Sequence, residues 1–265
     1  MIQVHPEMDD ERLVALFDKS VHRQWAQDAV AWEDFDRVPA SVRKDLAMVL
    51  TPVYLGEQTA MVGVATVIPM LLMRGEHEAS LCLAGMELDE ARHFRILNHL
   101  YRLFGHEPMP SRRLPEMWRY HARLLKSRDP MEWVWGILIS DLFARRFYKA
   151  VGELDPQGLL GALTRRILQD EARHQAFSDL YLERELPTAA PERRRALLDE
   201  RDDLFRVMDA LATRLSANAN ALGIDHDALL DGLWSDTERW ADRLGLGATG
   251  RPRPHGGAVS RGRAS

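Results

Sequence analysis

The sequence has a single cysteine, Cys82, in 265 residues. An internal disulfide needs two cysteines, and thiolate zinc or iron–sulfur sites need several. Any metal held by this chain must therefore be held through oxygen and nitrogen. Strand-like alternation of apolar and polar residues is scarce, and no sequence unit repeats along the chain in the manner of a solenoid. No flavin or nicotinamide fingerprint is present. Basic excess is lacking too: the net charge is -5, so neither nucleic acid nor an anionic membrane is expected as the main partner. Met1 to Glu11 is acidic and has no apolar signal-like core, so no secretory signal is expected, and with one cysteine a reducing, cytoplasmic setting follows. The most apolar stretch, Met48 to Met73, is long enough to span a membrane. It contains Pro52, Glu57, Gln58 and Pro69 and reads instead as a buried core helix.

What is present is helical periodicity over a chain that is 46% apolar. The expected fold is all-α: a single helical domain over 1–244, with a four-helix bundle at about 41–185, additional helices on both sides, and a disordered tail at 245–265 rich in Gly, Arg, Pro and Ser. The lead-in, about Asp9 to Val38, contains helix and carries Trp25 and Trp32. The first bundle helix is expected from an N-cap at Ser41 to Met73, bent or interrupted at Pro52. The second runs from His77 to Phe104 and stops at Gly105. The third starts at Asp129-Pro130, a cap followed by a first-turn proline, and ends near Gly152. The fourth runs from Pro156 to Glu185; two further helices follow, from Pro191 to about Gly223 and from Asp225 to Leu244. A short helical stretch near Glu116 to Lys126 falls in the long connection between the second and third. Two antiparallel pairs joined by one long crossover is the resulting topology.

The pentapeptide Asp-Glu-Ala-Arg-His occurs twice, at Asp89 to His93 and at Asp170 to His174. Residues three apart share a helix face, so Glu90 with His93, and Glu171 with His174, can each reach a metal. Leu83, Met86, Phe94 and Leu97 flank the first copy, and Leu163, Ile167, Leu168 and Phe177 the second, which turns both faces inward. The other two bundle helices each offer a carboxylate in an apolar setting: Glu57 beside Val53, Ala60 and Val64, and Asp141 beside Ile137, Leu138 and Leu142. Glu57 and Glu90 stand about equally far from the turn at Arg74-Gly75, and Asp141 and Glu171 from the turn near Pro156, so each pair lies at one depth. An unpaired buried carboxylate is costly. Four carboxylates balance two divalent cations, and neutral imidazoles add no charge, which suits an interior site. The donor set fits iron or manganese. Metal-bound imidazoles need their second nitrogen oriented. Asp89 is expected to accept from His174, Asp170 from His93, with Arg92 and Arg173 offsetting surplus negative charge. Without metal, Glu57 would be a core polar group near Tyr54 or Gln58, and Asp141 a partner for Arg145 or Arg146.

The order carboxylate, Glu-x-x-His, carboxylate, Glu-x-x-His, carried by Glu57, Glu90/His93, Asp141 and Glu171/His174, resembles the ferritin-like di-iron carboxylate superfamily. The repeated pentapeptide looks most like its oxygen-activating branch: ribonucleotide reductase small subunits and their oxidase relatives, acyl-carrier desaturases and bacterial monooxygenases. The resemblance implies a ferritin-like bundle, two iron ions or a Mn/Fe pair, O2 as co-substrate, and a homodimer. Leu97 stands where the reductase subunit has its radical tyrosine, one turn after the first histidine, so a tyrosyl-radical role is not implied. Small residues near Glu57 and Asp141, namely Gly56, Gly63, Gly136 and Ser140, suggest a substrate cavity lined by Met61, Trp133 and Trp135. The other histidines, His77, His99, His106 and His121 among them, read as surface or connection residues. The leading expectation is O2-dependent hydroxylation, desaturation or N-oxygenation of a small organic substrate, with electrons from a separate ferredoxin or reductase. The alternatives are ferritin- or rubrerythrin-like iron handling or peroxide scavenging, and a metal-free helical binding protein.

Overall fold

The structure, a computed structural model, describes residues 10–247. Within that range the chain forms α1 (Glu11–His22), α2 (Ala40–Val49), α3 (Thr51–Met73), α4 (His77–Phe104), α5 (Pro115–Leu124), α6 (Pro130–Glu153), α7 (Leu159–Glu185), α8 (Pro191–Ala221) and α9 (His226–Arg243), with short 3-10 turns between some of them. The expectation for the tail falls, from 248 onward, outside the described residues.

Helix ends follow from local chemistry. Asp129 accepts from the Met131 amide at 2.9 Å, and Pro130 fills the first helical position, where its missing N–H leaves nothing unpaired. Gly105 ends α4 in the left-handed conformation, φ 69°, which a Cβ would disfavour. Of the two outcomes expected at Pro52, a bend or an interruption, the structure has the interruption: α2 ends at Val49 and α3 begins at Thr51, with Leu50 between them. Pro52 lacks an N–H and its ring opposes the preceding turn, so the break falls just before it. The start is at Ala40, after Pro39, and Ser41 lies within the helix. α7 starts at Leu159, later than Pro156, because the Asp155 carbonyl accepts from the Gly158 and Gly161 amides and closes a turn first.

The core is a four-helix bundle. α3 and α4 form one antiparallel pair, α6 and α7 the other, and the chain crosses between them through residues 105–129, which include α5. α1 lies across α4 and α7. On the opposite side α8 packs on α2, α5, α6 and α9. The Trp135 indole N–H donates to the Leu197 carbonyl at 2.7 Å and fixes α6 to α8. Of the described helices, α3 alone is long and apolar enough to cross a membrane by length and composition. The buried core helix expected here is only partly covered, with 28% of its apolar stretch buried; the face that packs on α4 and α6 places Glu57, 5% exposed, at the bundle centre.

Candidate metal centre

Each of the four bundle helices brings one carboxylate to mid-depth, and α4 and α7 add an imidazole one turn further on. Glu57, Glu90, His93 and Glu171 present donor atoms that all lie within 4.8 Å of one another, and so do Glu90, Asp141 and His174. Glu90 belongs to both groups. His93 Nδ1 stands 3.5 Å from Glu57, 3.8 Å from Glu90 and 3.6 Å from Glu171. His174 Nδ1 stands 3.2 Å from Glu90 and 3.7 Å from Glu171. Both motif glutamates therefore point one oxygen toward each histidine. The sequence reading paired each glutamate with its own histidine alone; the rotation of α4 against α7 places the two carboxylates between the histidines instead.

The outer nitrogens are held from behind. His174 Nε2 donates to Asp89 at 3.2 Å and His93 Nε2 to Asp170 at 3.0 Å. Each aspartate also receives both arginines: Arg92 at 2.5 Å to Asp89 and 2.7 Å to Asp170, Arg173 at 2.9 Å and 2.5 Å. Gln24 donates to Asp89 at 3.0 Å, and the Trp25 indole to Asp170 at 2.8 Å. The arrangement fixes each ring with Nδ1 facing inward.

Electrostatics register the crowding. Burial pushes the Asp141 and Glu57 carboxyls well above the usual range, and the charges of Glu171 and Glu90 add to it. Burial also raises Glu171. For Glu90, burial is outweighed by the close approach of Glu57, His174 and His93, which hold it well below the ordinary value. Burial lowers both imidazoles, but the carboxylates around them win and raise each well above the ordinary value.

The residues fit a pair of cations. Among the described residues His93 Nδ1, His174 Nδ1, Asp141 Oδ2 and Glu171 Oε2 are buried and have no hydrogen-bond partner. Other buried side-chain atoms lack a partner too, Trp133 Nε1 and Ser178 Oγ among them, but these four all belong to one cluster of potential metal donors. The uses that Glu57 and Asp141 would have without metal do not occur. Arg145 donates to Gln175 and Arg146 to Asp236, not to Asp141. Tyr54 donates to Asn98 and Gln58 to a backbone carbonyl, not to Glu57. Metal loading must displace protons from the two imidazoles and the raised carboxyls. Bound metal should therefore fall steeply as pH drops below neutrality, with proton release on loading measurable by calorimetry in buffers of different ionisation enthalpy. Metal content unchanged across that range would contradict the ligand set.

Comparison with solved structures agrees with the bundle and its crossover. An R2-like ligand-binding oxidase with aerobically reconstituted Mn/Fe cofactor superposes with TM-score 0.67 at 17% identity, covering 92% of this chain and 95% of that one. Another, with aerobically reconstituted metal cofactor after photoconversion, gives 0.67 at 16% identity, over 90% and 94%. The fold is ferritin-like, of the kind seen in those oxidases. No protein-family model matches the chain. No curated protein matches it either.

The ferritin-like bundle also contains residues that sequence reasoning missed. Tyr148 donates to Glu57 at 2.5 Å; it lies two turns after Asp141 on the same helix face, a signal that was available. Gln24 and Trp25 reach the aspartates from the segment after α1, and nothing local marks that contact. A cavity of about 90 Å³ ends on Glu57, Glu90, Asp141 and Glu171. Gly56, Gly136, Ser140 and Trp133 line it. Gly63, Met61 and Trp135 do not. A Cβ at Gly63 would run into the Trp133 ring, so that glycine serves helix packing. The far wall comes from Leu204, Val207, Met208 and Leu211 of α8, which had no expected role. His121 also lines the cavity, bonded to Thr59 at 2.9 Å, and burial pushes it down to about 4.

Proposed function

We propose that the chain is an O2-dependent oxidoreductase with two iron ions, a Mn/Fe pair being the other filling, held by Glu57, Glu90, His93, Asp141, Glu171 and His174. The observation that carries this reading is the apolar cavity ending on a carboxylate cluster whose two histidines face inward with unpartnered Nδ1 atoms. Glu57, His93 and Glu171 would hold one metal and Asp141 and His174 the other, with Glu90 in reach of both. When bound, the metals supply O2 activation. Asp89, Asp170 and the two arginines orient the imidazoles and keep them seated. The cavity walls exclude water and suit a small or elongated apolar substrate, for hydroxylation, desaturation or N-oxygenation. Electrons would come from a separate ferredoxin or reductase. A homodimer is part of this reading and follows from the resemblance alone.

The test is anaerobic iron loading followed by O2, watched by absorbance with candidate apolar substrates present. The expected result is about two metals per chain, as four carboxylates balance two divalent cations, and a transient whose decay a substrate accelerates. Absence of metal uptake returns the chain to a metal-free helical binding protein. Assembly into a giant shell that accumulates iron, seen as mass by size exclusion, favours iron handling.

A further inference from the structure

Outside the metal cluster and its arginine network, Glu200 on α8 is a deeply buried carboxyl, 1% exposed. Tyr120 of α5 donates to its Oε1 at 3.4 Å, while Oε2 has no hydrogen-bond partner. On α6 the nearest approach is Gly136, where a Cβ would stand 3.2 Å from Oε1 and 3.1 Å from the Tyr120 hydroxyl. Three charged groups face Glu200: Glu132 of α6, bonded to Ser127; Arg123 of α5, paired with Asp203; and Arg193 of α8, paired with Asp129. Burial dominates, Glu132 adds to it, and the arginines offset only part, so the carboxyl is pushed up to about 8. Glu200 is then largely the neutral acid at neutral pH. Burial, and next the Glu200 charge, raise Tyr120 well above its ordinary value, so its hydroxyl keeps its proton.

Position gives the pair a role. Tyr120 and Gly136 line the metal cavity. Tyr120 also lines a second, charged cleft between α5 and α8, bounded by Arg123, Asp203 and Arg206. The hydroxyl thus stands between the cavity, the buried acid and a route to solvent. His121 on the same cavity wall is held neutral and has no proton to give at pH 7.

We propose that Glu200 and Tyr120 form a proton relay into the metal cavity. The inference rests on the dinuclear reading, because reduction of O2 with electrons from the external donor takes up protons. The Tyr120 hydroxyl turns from Glu200 Oε1 toward the cavity and gives its proton to an acceptor there, and the Glu200 carboxyl proton then replaces it on the Tyr120 oxygen. The Glu200 carboxylate that remains is reprotonated through the Tyr120 hydroxyl, since Tyr120 lines the charged cleft and Glu200 does not. No electron moves in the relay. Glu200 acts through Tyr120 and is a positioning and supply residue. Its raised value sets the sign: the relay is charged below pH about 8 and is lost as pH rises through it.

Infrared difference spectra of the metal-free chain across pH test the pair directly. The parent is expected to show a carboxylic acid C=O band that titrates near pH 8. Glu200→Gln should remove the band and Tyr120→Phe should shift it. In the iron-loaded chain exposed to O2, the absorbance transient should slow above that pH. Glu200→Gln should lower its rate by about 100-fold, abolish that pH limb and leave metal content at the parent's level. A band that survives Glu200→Gln, or a variant with the parent's rate and pH limb, overturns the relay. A purely structural role would lower thermal stability and leave the pH limb in place, which also overturns it. A parent that takes up no metal fails the dinuclear reading and the relay with it. The infrared band separates the two cases, because it reports Glu200 whether or not metal binds.

Discussion

His174→Ala should strip the chain of at least one of its two metals and abolish the O2-dependent absorbance change, and His93→Ala should do the same. Each ring contributes an inward Nδ1 that nothing else in the structure satisfies. No neighbouring side chain can substitute, since Asp89 and Asp170 are already committed to the arginines. Removing a ligand also leaves the carboxylates with less compensation, and they then take up protons rather than metal. Elemental analysis per chain decides the matter, read beside helical content by circular dichroism. The fold should persist, because Asp89 keeps Arg92, Arg173 and Gln24 when His174 is gone. Unchanged metal content in both variants would remove the ligand assignment.

Asp170→Ala should destabilise the chain by about 3–5 kcal/mol, the usual result of breaking a buried ion pair from one side. Asp170 is 1% exposed and accepts from Trp25, Arg92, His93 and Arg173. Its loss leaves Arg92 and Arg173 to share Asp89, and it frees the Trp25 indole that ties the post-α1 segment to the bundle. Urea unfolding of the metal-free protein measures the effect. Asp170→Asn, which keeps the shape, should recover part of it. The sign with pH is fixed. Burial raises this carboxyl, but its bonds with His93, Arg92 and Trp25 prevail and hold it below the ordinary value. Its contribution is therefore present above pH ~4, the unfolded value, and is lost as pH falls through the lower folded value. A loss under about 1 kcal/mol, the worth of an exposed pair, would show that the network is decorative.

The parts of the centre written in consecutive residues were legible. Glu90 with His93, and Glu171 with His174, are one helical turn apart, and helix geometry alone puts each pair on one face. Glu57 and Asp141 were legible for a different reason: an acid among apolar neighbours must find compensation, and hairpin depth says where. The bounds of α4 and α6 followed from Gly105 and Asp129-Pro130, which act within a turn of themselves. The cavity was only half readable. Gly56 and Gly136 open onto it, while Gly63, the same residue on the same helix as Gly56, is filled by Trp133 from α6. His121 looked like a connection residue because it lies in the stretch rich in Pro and Arg between the second and third bundle helices, yet α5 folds it onto Thr59.

Sequence by itself determined which carboxylates and imidazoles meet at one depth and that four helices carry them, because periodicity, capping and charge in an apolar run are local or nearly local. Tertiary structure alone decided that Glu90 and Glu171 lie between the two histidines, that Trp25 and Tyr148 touch the centre, and that α8 closes the cavity and brings Glu200 behind Tyr120. Those contacts depend on how helices far apart in the chain are rotated and set against each other, and that is fixed by the packing of the whole core.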